Sequence, residues 1–130
     1  EIFPSMQLGG KPPELYDQAK DGVADIVWTL PGYTPGRFPR TEVFELPFIA
    51  SPRGIVNARA SQDYADAHLG EETKDVKLLS FWSHDAGVIH CRDKIEILAD
   101  LQGKKLRFPT RLADEALKAV GVAAIGMPVP

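Results

Sequence analysis

Only one of the 130 residues is cysteine, Cys91, so no disulfide can close within the chain. No CxxC or Cys/His spacing points to structural zinc, and the redox compartment stays open. Histidine is scarce too. His68, His84 and His90 stand without a dense ligand motif and give no basis for a metal site. No apolar run approaches the roughly 20 residues that a membrane-spanning helix needs. Charge of one sign is not in excess: fifteen basic and eighteen acidic side chains leave a net charge of −3. This removes a bulk electrostatic case for nucleic acid or an anionic membrane as partner, but leaves room for a local anion site. GxGxxG is absent and the Walker pattern incomplete, so Leu8-Gly9-Gly10-Lys11 reads as a flexible turn into a helix. Internal repeats and low-complexity linkers are missing as well.

What is present is 44% hydrophobic and 25% charged residues, the balance of a folded chain with one sizeable core. The N-terminus shows neither a basic flank nor a long apolar run, as in a chain without a leader or one from which it has been removed. The chain opens on strand-like Glu1-Ile2-Phe3-Pro4 and closes on Pro128-Val129-Pro130. It is expected to be a piece of something longer.

Helix and strand patterns alternate. Pro12-Pro13 can start a short helix over 14–21 with Leu15, Tyr16 and Ala19 on one face and Gly22 as its left-handed cap. The apolar, β-branched run 24–30 predicts a buried strand ended by Pro31-Gly32. Residues 31–40 make an ordered, aromatic-bearing loop, and 43–48 a short packed segment with Phe44, Leu46 and Phe48 filling core. From Ser51-Pro52 to about His68 a helix can place Ile55, Val56, Ala60, Tyr64 and Ala67 along one side. Strands are predicted at 76–82 and 87–91, either side of the turn Ser83-His84-Asp85, and one or two helical turns at 95–101. Residues 104–127 read as strand, helix, strand: Thr110 is a possible N-cap, Leu112, Ala116, Leu117 and Val120 form a stripe, and Gly121 closes the helix. The alternation favours an α/β fold.

Arg107 is the most informative ionic residue, because it interrupts an apolar strand just before Pro109 and a helix start. A guanidinium there can grip a carboxylate bidentately beside the helix amides. On the residues alone the commoner outcome is an edge-strand arginine facing solvent, or one paired with Asp114 or Glu115. Trp28 and Trp82 lie near the C-terminal ends of predicted strands, where they either flank a ligand crevice or fill core. Thr29 adds a small hydroxyl at the same edge. Tyr33 and Phe38 either close over a ligand or anchor their loop. His84-Asp85 suggests acid–base chemistry and His90-Cys91 a thiol nucleophile, yet the first pair lacks an evident nucleophile and the members of the second, as strand neighbours, face opposite ways. Turn hydrogen bonding accounts for His84-Asp85 and strand packing for His90-Cys91. Arg37, Arg40 and Arg53 read as a solvated face.

The segment Leu101-Gln102-Gly103-Lys104-Lys105-Leu106-Arg107-Phe108-Pro109 is preceded by Phe3-Pro4-Ser5-Met6-Gln7-Leu8-Gly9-Gly10, Asp21-Gly22-Val23-Ala24-Asp25-Ile26 and Val43-Phe44-Glu45-Leu46-Pro47-Phe48. Gly121 and Gly126-Met127-Pro128 follow it. In this order the motifs, spread over nearly all of the chain, resemble the DctP-type solute-binding proteins of tripartite ATP-independent periplasmic (TRAP) transporters. The resemblance implies a periplasmic-binding-protein-like, type II-like, two-lobe α/β fold, here incomplete. Residues 1–86 would belong to the first lobe and 87–130 would start the second, with the first strand and its helix, much of the second lobe and the return connection absent. It further implies a periplasmic receptor that binds a small organic acid and delivers it to a TRAP membrane permease, with no catalytic residue, cofactor or metal. Arg107 matches the arginine that pairs with the substrate carboxylate. Trp28, Thr29 and Thr110 match places that contact ligand, and Trp82 lies near the crossing between lobes. A second arginine common in the family has no counterpart in Gly87-Val88-Ile89-His90, and Trp28, Tyr33 and Trp82 leave room for a more apolar or aromatic acid. The alternatives are a small α/β enzyme using His84/Asp85 or His90/Cys91, or a non-catalytic interaction fragment. Oligomeric state is not specified.

Overall fold

The computed structural model describes residues 1–84 and 87–127. The first regular element is a 3-10 turn, Pro12–Glu14, running into helix α1, Leu15–Lys20. It stops where the sequence predicts. Gly22, at φ 74°, donates to Ala19 and lets Val23 donate 2.8 Å to Gln18, satisfying carbonyls that the helix leaves open. Beyond it Tyr16 and Phe38 are buried edge to face with ring centres 4.9 Å apart. Arg37 covers Tyr16 at 4.3 Å and grips Asp17 with two hydrogen bonds of 2.8 and 2.7 Å. This corrects the reading of Arg37 as a solvated side chain: it fastens the proline-rich loop to α1.

Helix α2, Gly54–His68, forms close to its predicted limits but turns a different face inward. Asn57, Ser61, Ala65 and then Leu69 are buried, whereas Ile55 and Val56 are exposed, as are Ala60 and Ala67. Hydrogen bonding gives the polar residues a reason to be inside. Asn57 both accepts from the Ser51 amide and donates to the Ser51 carbonyl, and Ser61 donates 2.7 Å to the Asn57 carbonyl. Tyr64 alone of the predicted stripe packs inward, meeting Phe44 at 5.2 Å. Phe44 sits in a 3-10 segment, Thr41–Glu45, and also meets Phe81 at 6.0 Å. Leu46 and Phe48 do not join this core; Phe48 is fully exposed, at positive φ.

The C-terminal third forms the predicted strand, helix, strand unit. Strand β1, Lys105–Phe108, helix α3, Arg111–Ala119, and strand β2, Ala123–Gly126, make a parallel two-stranded sheet in which Arg107 lies opposite Ile125. Gly121, at φ 80°, ends α3 with the same hydrogen-bond pattern as Gly22, the Val122 amide reaching Leu117 at 3.1 Å. A 3-10 turn, Leu98–Leu101, precedes β1, and its Asp100 carboxylate accepts from the amides of Glu96 and Ile97 just before it.

The other three predicted strands do not form. Residues 24–30, 76–82 and 87–91 are extended or bent without ladder partners, and Ile26, Leu79, Val88 and Ile89 are exposed. The physical reason is non-local: a strand exists only beside another, and among the described residues β1 and β2 pair with each other and offer these stretches no neighbour. One amide of these stretches, that of Phe81, is held instead by the Gln62 side chain at 2.8 Å. The predicted lobe boundary and Asp85 fall at residues outside the described ones.

Candidate functional site

Arg107 occupies β1 with its side chain exposed. Its Nε donates 2.8 Å to the Met127 carbonyl at the end of the neighbouring strand, which orients the guanidinium across the sheet end. Both acids that offered an internal partner are engaged elsewhere: Asp114 with Lys118 at 2.7 Å, Glu115 with Arg111 at 2.5 Å. Among the described residues no carboxylate pairs with Arg107. Its charge is therefore open to an anion, the arrangement that bidentate carboxylate recognition needs.

Trp28 and Trp82 come together from segments more than fifty positions apart in the chain. Their ring centres are 6.5 Å apart at 34°, and 68% and 49% of the two residues respectively is exposed. Neither indole is core. A pair of open ring faces is a surface on which a flat apolar group can stack. Thr29, next to Trp28, is half-buried, as is Tyr33 in the 3-10 turn Pro31–Tyr33. Among the described residues no hydrogen bond or cation–π contact joins Arg107 to the tryptophans.

Thr110 is buried, and its hydroxyl makes no capping bond to α3. It faces Glu45 and Gly32 instead. A side chain on Gly32 would strike the Thr110 methyl and approach Glu45 Oε1 to 2.6 Å, so the turn carrying Tyr33 lies flush against the start of α3. Burial pushes the Glu45 carboxyl up from its ordinary pKa, with a hydrogen bond from Thr110 opposing it, Glu42 adding to it, and Arg111 and His84 opposing it. Sequence reasoning missed this cluster. The available signal was an acid inside the apolar run Val43–Phe48; the 2.5 Å ion pair between Glu42 and Arg111 spans 69 positions and leaves no local signal.

The sequence-derived catalytic alternatives gain no geometry. His90 and Cys91 lie exposed in a stretch without regular structure, and Asp85 is outside the described residues. Among the described residues no three His, Cys, Asp or Glu side chains gather to hold a metal ion. No described helix is long and apolar enough to cross a membrane.

A family model for the bacterial extracellular solute-binding proteins, family 7 (DctP), matches residues 1–130. No curated protein matches the chain. Among solved structures, it is similar to a TRAP solute binding protein from Rhodoferax ferrireducens T118 in complex with copurified benzoate, at 50% identity and TM-score 0.94. That match covers 100% of this chain and 40% of the other. A marine metagenome TRAP solute binding protein specific for aromatic acid ligands, with co-crystallized 3-hydroxybenzoate, also shows 50% identity and TM-score 0.94, covering 100% of this chain and 41% of that one. A triple surface mutant of the marine protein, in complex with metahydroxyphenylacetate, matches equally at 50% identity, TM-score 0.94 and the same coverage of 100% and 41%. The chain thus spans about 40% of the length of the solved structures it matches.

Proposed function

The chain belongs to the DctP family of bacterial extracellular solute-binding proteins, and from that premise we propose that it forms part of a receptor for a small aromatic carboxylate. Its fold is that of the TRAP periplasmic solute-binding proteins, mixed helix and sheet and present in part. The family and the structural neighbours are binding proteins, not enzymes. In this reading Arg107 pairs with the ligand carboxylate, Trp28 and Trp82 stack on the ring, and Thr29, Tyr33 and Thr110 line the remaining contacts. The receptor works in the periplasm and hands its acid to TRAP membrane subunits. Its two lobes, 1–86 in the first and 87 onwards in the second, close over the ligand.

The observation that carries this reading is the exposed Arg107 guanidinium, oriented by Met127 and without a carboxylate partner among the described residues. The exposed tryptophan pair supports the aromatic class, as do the benzoate and 3-hydroxybenzoate bound by the relatives. A thermal-shift titration tests it, because a ligand that binds only the folded state raises apparent stability. The samples are this chain and a chimera in which it replaces the matching segment of the Rhodoferax ferrireducens protein. Benzoate and 3-hydroxybenzoate should raise the melting temperature of the chimera while the neutral benzamide does not. Equal shifts for acid and amide would exclude carboxylate recognition.

A further inference from the structure

The Glu42–Arg111 ion pair and the Glu45–Thr110–Gly32 contact lie side by side along one seam. On one side is the stretch from Pro31 to Glu45, which carries Tyr33; on the other is the N-terminal turn of α3, which follows Arg107 by only a few residues. The Glu42 side chain is 17% exposed and that of Arg111 46%, so the carboxylate end of the pair is sheltered while the guanidinium end meets water. A recess of about 280 Å³, open to solvent, lies along the seam, lined by Pro39, Glu42, Val43, Leu46, Arg111 and Leu112.

An ion pair and a buried hydroxyl beside an open recess differ from apolar core. Each can exchange its partner for water when the surfaces part, so neither polar contact leaves an unpaired group when the seam opens. The seam also ties the stretch bearing Tyr33 to the helix that directly follows the strand bearing the carboxylate anchor, two groups that must converge on one ligand.

We infer that Glu42 and Arg111 are positioning residues whose ion pair clamps the 31–45 stretch onto the start of α3 in the ligand-bound receptor and slows ligand release. The inference rests on the receptor reading above. The pair touches no ligand; it holds closed the arrangement in which Arg107 and Tyr33 do.

Stopped-flow tryptophan fluorescence with benzoate tests the clamp in this chain and in the same chimera. Glu42→Gln and Arg111→Gln should each speed release about threefold with association unchanged, and the double variant should release no faster than either single one. Glu115→Gln, which removes the other partner of Arg111, should release at the parental rate. Unchanged release in the two single variants, or additive effects in the double, would overturn the clamp. So would equal falls in melting temperature with and without benzoate, which mark a permanent structural pair. If benzoate binds neither chain nor chimera, the receptor reading fails and takes the clamp with it.

Discussion

Trp28 and Trp82 face each other at 6.5 Å although neither is buried, so their contact is not a by-product of core packing. The apolar faces that the two indoles still show to water are surface that a stacked aromatic ring would cover. Trp28→Ala and Trp82→Ala should each weaken benzoate binding to the chimera about tenfold and leave an aliphatic acid such as propionate within about twofold. Isothermal titration with the two acids measures the ratio. Equal losses for both would assign the pair to structure instead of ring recognition.

Arg107 separates charge from geometry. Arg107→Ala should cost about 30-fold or more in affinity for benzoate, the range of a charge-assisted pair, with no comparable loss of thermal stability because the side chain is exposed. Arg107→Lys keeps the charge but not the fork that reaches both the ligand and Met127, and should restore only part of the affinity. Full rescue by lysine would mean that only a point charge is needed.

Gly32 makes a stability prediction independent of ligand. Its missing side chain is what lets Glu45 and Thr110 close on the turn, since a Cβ would lie 3.0 Å from Thr110 Cβ and 2.6 Å from Glu45 Oε1. Gly32→Ala should therefore destabilise by about 1–3 kcal/mol, the usual cost of overpacking. Thermal unfolding would show it as a lower midpoint, and the loss should shrink in a Gly32→Ala, Thr110→Ser double variant that removes the clashing methyl.

Much of this could be read from the sequence where the signal was local. The strand, helix, strand order and Gly121 as the helix stop sit within one βαβ unit and formed as written, whereas Thr110 takes the N-cap position without a capping bond and Ala116 of the expected stripe is exposed. Arg107 stood out because a charge interrupted an apolar strand. What escaped was non-local. The runs at 24–30 and 76–82 have the composition of strands, but pairing depends on segments that composition does not name. In α2 hydrophobicity favoured Ile55 and Val56, while the buried stripe is Asn57, Ser61 and Ala65, chosen by where Ser51 and the rest of the fold offer partners. The tryptophan pair and the Glu42–Arg111 bridge likewise join distant positions, which only the folded chain brings together.

Glu45 carries a pH prediction whose sign is opposite to that of an ordinary ion-paired acid. Its carboxyl is raised above the usual 4.5 chiefly by burial, so the folded state holds the proton more tightly than the unfolded chain does. The stabilising contribution is complete below 4.5 and is lost as pH rises from there through the folded value. Asp17 behaves the other way. Its hydrogen bond from Arg37 lowers its pKa, and the stability it adds is lost as pH falls through that lowered value. Glu45→Gln, which cannot ionise, should therefore match the parent near pH 4 and exceed it in melting temperature at neutral pH. The expected gain is about 1–2 °C, kept small because the side chain is partly solvated. His84 also faces Glu45, so the comparison belongs in a His84→Gln background as well as in the parent. Thr110→Val should enlarge the gain, because it removes the hydrogen bond that favours the ionised form. A Glu45→Gln variant less stable than the parent at neutral pH would mean that the ionised carboxylate is a net asset to the seam.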